Sequence, residues 1–186
     1  MKPTGHSGAG IAAPKRRRRG SETIEFALSL IPYLAVITVL CDASWSIFVK
    51  ATLQSAVRNG VRTGITITGT QATAASETLT QMVKDVVQNT ALGLLSGTSG
   101  RAYIQVHYLA QDSSSPSGVT DVSTQANGNA PGNLMQVSVS AYPVGALMPR
   151  IYGLFIPVDN NPALITVVSA DRIEPSGDVP PIGTAP

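Results

Sequence analysis

From Phe26 to Cys41 the chain carries no charged residue, and apolar character resumes after Asp42 through Ala43, Trp45 and Ile47-Phe48-Val49. At a rise of ~1.5 Å per residue, Phe26 to Val49 makes a helix of roughly 36 Å, enough to cross a bilayer with some tilt. Trp45 and Lys50 are the residue types that anchor such a span at an interface. Pro32 predicts a modest kink, of the kind membrane helices tolerate. Asp42 lies in the distal part of the run, where it reaches water or a partner in a helix bundle. Beyond Lys50 the spacing stays helical: Leu53, Ala56-Val57, Gly60-Val61 and Gly64 share one side, with Gln54, Arg58 and Arg62 on others. Gly64 reads as the stop. The Gly60-x-x-x-Gly64 pair is a small-residue pattern, but it lies outside the apolar run and carries little weight as a membrane motif.

After Gly64 the pattern changes. Ile65 to Thr68 reads as a short strand or as the start of a Thr/Ala/Gly-rich linker reaching Ala75. A second helix follows, capped near Ser76 with Glu77 in its first turn, where negative charge suits the helix dipole. Its stripe is Leu79, Met82-Val83, Val86-Val87, Thr90-Ala91 and Leu94-Leu95, opposite Lys84, Asp85 and Gln88, and Gly97 ends it. Three alternating runs predict strands: Ala102 to Ala110, Leu134 to Tyr142 and Ala163 to Ile173. Between the first two, Gln111 to Asn133 is rich in Ser, Gly, Asn and Pro and reads as a long mobile loop. Leu147 to Ile156 is an apolar patch, a short helix or a loop covering the sheet. From Pro175 onward Pro, Gly and Asp dominate, which predicts a disordered tail.

A long N-terminal helix, a packing helix and a small antiparallel sheet give an α+β class. The chain divides into a basic leader (1–20), a long helix (21–64, span about 26–49), an α+β domain (65–175) and a disordered tail (176–186). At 186 residues it holds one domain plus an anchor.

Charge refines this picture. The formal net charge of +2 hides an asymmetry, because Lys2, Lys15, Arg16, Arg17, Arg18 and Arg19 are six of the thirteen basic residues and no acid precedes Glu22. Without residues 1–20 there remain seven basic against eleven acidic side chains, a formal −4. A nucleic-acid partner needs a basic surface on a folded module, and none is visible after Gly20. Lys15 to Arg19 are instead a topogenic block, which keeps the N-terminus cytoplasmic and exports everything after the helix.

The junction Arg16-Arg17-Arg18-Arg19-Gly20-Ser21-Glu22-Thr23-Ile24-Glu25-Phe26 resembles the class III signal of type IV pilins and pilin-like proteins. Glu25-Phe26, Ala27-Leu28 and Pro32 make it more similar to the TadE/TadG group of tight-adherence (Flp) pilus systems than to a major pilin. Ala56-Val57-Arg58-Asn59-Gly60-Val61-Arg62-Thr63-Gly64 resembles the Arg/Gly/Ala-rich stretch that follows the membrane helix in TadE-like proteins, and Val167 to Pro175 resembles their C-terminal strand. The resemblance implies a minor pilin or pseudopilin in the bacterial inner membrane, cut by a prepilin peptidase between Gly20 and Ser21. Glu25 then becomes the fifth residue of the mature chain. It implies that the Glu25 carboxylate answers the Ser21 α-amine of a neighbouring pilin-like subunit. The implied partners are the peptidase, other pilin-like subunits with their assembly machinery, and the lipid bilayer.

Catalytic signatures are lacking in the sequence. His6 sits in the leader and His107 on a predicted strand, no His/Cys/Asp/Glu cluster has metal spacing, and no phosphate-cradling glycine loop is present. The expectation is a non-enzyme without cofactor or metal. Cys41, the only cysteine, allows no internal disulfide. It packs as a small hydrophobe, since the bulky Leu40 before it is wrong for lipid attachment. The nearest signal-peptidase site, Cys41-Asp42-Ala43, is poor, so the anchor is expected to be retained. The alternative reading is a membrane-tethered extracytoplasmic binding domain whose leader is never cut. A secreted soluble domain or enzyme would instead need release near Ala43.

Overall fold

A computed structural model describes residues 19–145, 162–174 and 177–183, with side chains from Glu22 onward. The elements are α1 (Arg19–Gly64), α2 (Gly69–Ala75), α3 (Leu79–Thr90), α4 (Gly97–Ala102), β1 (Ile104–Gln111), β2 (Val119–Asp121), β3 (Leu134–Val144) and β4 (Ala163–Arg172). The strands form one antiparallel sheet in the order β2-β1-β3-β4. The class is α+β, as the periodicity predicts.

The chain divides into two compact units, one ending at Val39 and one beginning at Leu40. Among the described residues, the first is the stretch of α1 through Val39, which passes through Pro32 without interruption. From Glu22 to Phe48 no residue of α1 is buried. The second unit holds the rest of α1 and everything after it. Here the pattern changes at one residue: Val49, Leu53, Ala56, Val57, Gly60, Val61 and Gly64 are buried, while Lys50, Arg58, Asn59 and Arg62 stay exposed. Steps of three and four residues place the buried set on a single helix face.

That face packs on α3 through two glycines. A Cβ at Gly60 would stand 2.4 Å from Val87 Cγ2, and one at Gly64 would stand 2.6 Å from Met135 Sδ and 2.7 Å from Val83 Cγ2. The later α1 glycine meets the earlier α3 valine, so the two helices are antiparallel. Ile104, Val106 and Tyr108 of β1, Met135, Val137 and Val139 of β3 and Val167 of β4 complete the core. Tyr108 is fully buried, with its hydroxyl 3.3 Å from Thr80 Oγ1. Burial pushes its pKa up to about 12, against the opposing effect of the Thr80 hydrogen bond.

Several expectations are corrected. The stretch leading to Ala75 contains α2, opened by a capping box in which Thr68 and Gln71 satisfy each other's backbone amides. Thr78, not Ser76, caps α3, again with a glutamine (Gln81) three residues on, so Glu77 lies outside the first turn. Ser76 instead ends α2 in a left-handed conformation, φ 56°. Helix α3 stops at Thr90, and Gly97 opens α4. The segment 111–133 is not a mobile loop: it carries β2 and buries Val122, Ser123 and Asn129.

The tail is also corrected, because residues 177–183 pack as a strap. Leu79 and Thr80 donate their amides to the Pro181 and Ile182 carbonyls (2.9 and 3.4 Å), and Asn129 Nδ2 donates to Pro180 O at 2.6 Å. Asp178 accepts from the amide and hydroxyl of Thr70 in the first turn of α2 (2.8 and 2.6 Å). Pro181 suits this role: it has no amide of its own to satisfy, and its carbonyl meets a first-turn helix amide that lacks a partner within the helix. Leu147 to Ile156, Pro175 and His6 lie outside the described residues.

Replacing Gly60 by leucine forces a side chain into Val87 and should destabilise the domain by about 1–3 kcal/mol. Adding Val87→Ala should return part of that loss. Urea unfolding of the two variants in detergent, followed through the tyrosine environment, checks the order.

Candidate functional site

Two groupings carry polar chemistry. The first is the head of α1. Arg19, Gly20 and Ser21 lie in its opening turn and Glu25 one turn on, about 6 Å further along the axis. Glu25 is exposed, at the head of a stretch whose large apolar side chains Ile24, Phe26, Leu28 and Ile31 are exposed too. Lys15 to Arg18 lie outside the described residues. Among the described residues, α1 is the one helix long and apolar enough to cross a membrane, and none of its apolar window is buried in the fold. Hydroxyls along it are turned inward to the helix backbone: Thr38 Oγ1 donates to Leu34 O, Ser44 Oγ to Leu40 O and Ser46 Oγ to Asp42 O, at 2.7–2.9 Å. Such bonds satisfy hydroxyls that would be costly to leave unpaired in hydrocarbon. Trp45 and Phe48 stack with centroids 5.7 Å apart, and Cys41 is exposed beside them on the helix.

The second grouping, missed at the level of sequence, surrounds His107 on β1. His107 Nδ1 lies 2.8 Å from Asp121 Oδ2 on β2. Asp121 Oδ1 accepts the hydroxyl and the amide of Ser123, and the same Ser123 hydroxyl accepts the amide of Tyr108 at 2.8 Å. Histidine, aspartate and serine thus meet, but in the wrong order for nucleophilic catalysis. The carboxylate stands between the imidazole and a buried hydroxyl, whereas activation needs the imidazole on the hydroxyl. The cluster fastens β2 to β1. Its signal in the sequence was the Asp-x-Ser spacing at Asp121–Ser123, a turn-forming pair repeated at Asp112–Ser114. Among the described residues, no three His, Cys, Asp or Glu side chains are grouped to hold a metal ion.

Against this geometry, residues 20–62 match the family model described as TadE-like protein. Over that segment the chain is similar to TadE-like proteins, in line with the junction and the Arg/Gly-rich stretch; the match does not extend to residues 163–175. No curated protein and no solved structure matches the chain. The matched segment contains both halves of α1, the exposed apolar half and the half whose buried face meets α3.

Burial raises the Asp121 pKa, but the hydrogen bonds from Ser123 and His107 outweigh it and hold the carboxyl below its ordinary value. A depressed carboxyl binds fewer protons folded than unfolded, so its stabilisation is complete above the unfolded pKa of about 4 and is lost as pH falls below it. Asp121→Asn should remove part of the acid-side fall in stability. Denaturation midpoints compared between pH 6 and pH 3 should therefore differ less in the variant than in the parent.

Proposed function

We propose that the chain is a minor pilin or pseudopilin of a tight-adherence (Flp) pilus or a related secretion system, anchored once in the bacterial inner membrane with its α+β domain outside the cytoplasm. The observation that carries this reading is the TadE-like match over residues 20–62, coincident with an exposed apolar helix headed by Glu25. A helix apolar on all sides needs lipid or other helices around it. The basic run Lys15 to Arg19 holds the N-terminus in the cytoplasm. A prepilin peptidase cuts between Gly20 and Ser21, and the match beginning at Gly20 supports that register. The role is non-catalytic and needs no cofactor. Its partners are the peptidase, other pilin-like subunits with their assembly machinery, and the bilayer.

Cleavage frees an α-amine on Ser21 that is mostly protonated at neutral pH. Facing a neighbour's Glu25 at the edge of hydrocarbon, it sets the register between subunits, because either charge alone there is costly. Mass spectrometry of protein purified from membranes with an active prepilin peptidase should find a peptide starting at Ser21. Recovery of Met1 forms alone would reject the processing step.

Glu25→Gln keeps the size and hydrogen-bonding capacity of the side chain but removes its charge. The variant should be cut and inserted, yet fail to co-purify with other pilin-like subunits or to support pili. Its penalty should exceed the ~0.2–1 kcal/mol of an exposed ion pair, because a desolvated partner is left uncompensated. Normal complexes from fully cleaved Glu25→Gln protein would remove Glu25 from the assembly step.

A further inference from the structure

Residues 177–183 meet the domain as a docked peptide does. Burial alternates along them: Asp178 is half-buried and Pro180 and Ile182 are buried, while Gly177, Val179, Pro181 and Gly183 are exposed. An extended segment turns successive side chains to opposite sides, so one edge of the strap enters a groove and the other faces out.

The groove reads each inward position separately. Asp178 lies against Gly69, where a Cβ would collide with its carboxylate, and its backbone carbonyl accepts the Gly69 amide at 3.3 Å. Pro180 offers its carbonyl to Asn129 Nδ2. Ile182 takes a place in the core, and its carbonyl accepts both the amide and the hydroxyl of Thr80, at 3.4 and 2.6 Å. Gly183 follows at φ 74°, so close to Thr78 that a side chain there would collide. The two side chains that grip the strap are fixed parts of the fold, since Asn129 and Thr80 are each 2 % exposed. With its own proton on Ile182 O, the Thr80 hydroxyl accepts from the buried Tyr108 hydroxyl.

The strap adds no rung to the sheet, whose order is β2-β1-β3-β4. Its bonds go to helix amides and side chains, and none of them depends on which chain supplies the segment. Pro180 and Pro181 also hold the backbone extended before docking, which lowers the cost of ordering it.

We propose that this groove is a peptide-binding site with residues 177–183 as its resident ligand, and that it takes the same segment from a second copy of the chain. The donor follows from the fit. A carboxylate, a proline and an isoleucine at alternate positions, closed by glycine, meet all of these contacts, and every copy carries that pattern. Exchange of an identical segment keeps each bond in both copies, so it costs little beyond opening the strap. It ties the C-terminal segment of one domain to the α2–α3 side of the next.

Two measurements on the full chain in detergent test this. Hydrogen exchange of the unaltered protein asks whether the strap leaves by itself. The amides of Leu79 and Thr80, which the strap covers, should exchange at least about tenfold faster than those of Val83 and Val87 deeper in α3. Equal rates would make the strap inseparable from the core and overturn the proposal. Next, Cys41→Ala chains with Thr70→Cys are mixed with Cys41→Ala chains with Asp178→Cys in oxidising buffer. Disulfide-linked pairs of copies should form severalfold faster than when Ser113→Cys, on an exposed turn, replaces Thr70→Cys. One chain carrying both Thr70→Cys and Asp178→Cys should close the bond internally. An internal bond with no linkage between copies above the Ser113→Cys level would overturn exchange. Absence of the internal bond, in a chain that keeps slow exchange at Val83 and Val87, would overturn the docking itself.

Discussion

The close approach of α1 to α3 is the contact on which the second unit depends. Two glycines one helical turn apart let Val83 and Val87 sit against the α1 backbone, with Met135 of the sheet filling the space beside Gly64. A larger residue at either position would push α3 outward, and α3 carries the other wall of the core. The core is small and made largely of valine, which has few ways to repack around such a displacement. The spacing that in an apolar 20-mer signals helix pairing in a membrane serves here, outside the apolar run, to pair two helices of one domain.

One continuous helix therefore lives under two sets of rules. From Glu22 through Phe48 none of its residues is buried, and Thr38, Ser44 and Ser46 bond back to the helix; from Val49 one side is core and the other carries Lys50, Arg58 and Arg62. The TadE-like match spans both parts, from Gly20 to Arg62. The Arg/Gly-rich half owes its pattern to this arrangement: Ala56, Val57, Gly60 and Val61 face the core, and the arginines between them face away.

Long periodic segments were legible in the sequence. The helix ending at Gly64 and the three main strands follow directly from spacing, because burial of one face imposes it. Short elements were not, since their signals are local and polar. The Thr-x-x-Gln pairs at Thr68–Gln71 and Thr78–Gln81 are capping boxes that place both helix starts, yet they are easily passed over as linker composition. β2 has three residues and is held by His107, Asp121 and Ser123 rather than by an apolar stripe. Of the candidate site, residue types and spacing announced Gly20, Ser21 and Glu25 as a group, and the structure places them on one helix.

The strap at residues 177–183 bears on the order in which the domain is completed. It supplies the Pro181 and Ile182 carbonyls to the first turn of α3 and the Asp178 carboxylate to the first turn of α2, across roughly a hundred residues. Until that stretch is made and docked, both helix starts lack those acceptors and Ile182 is missing from the core. Contacts so distant in sequence close slowly and late. The domain thus has a built-in delay: its last wall is set in place only when the strap docks.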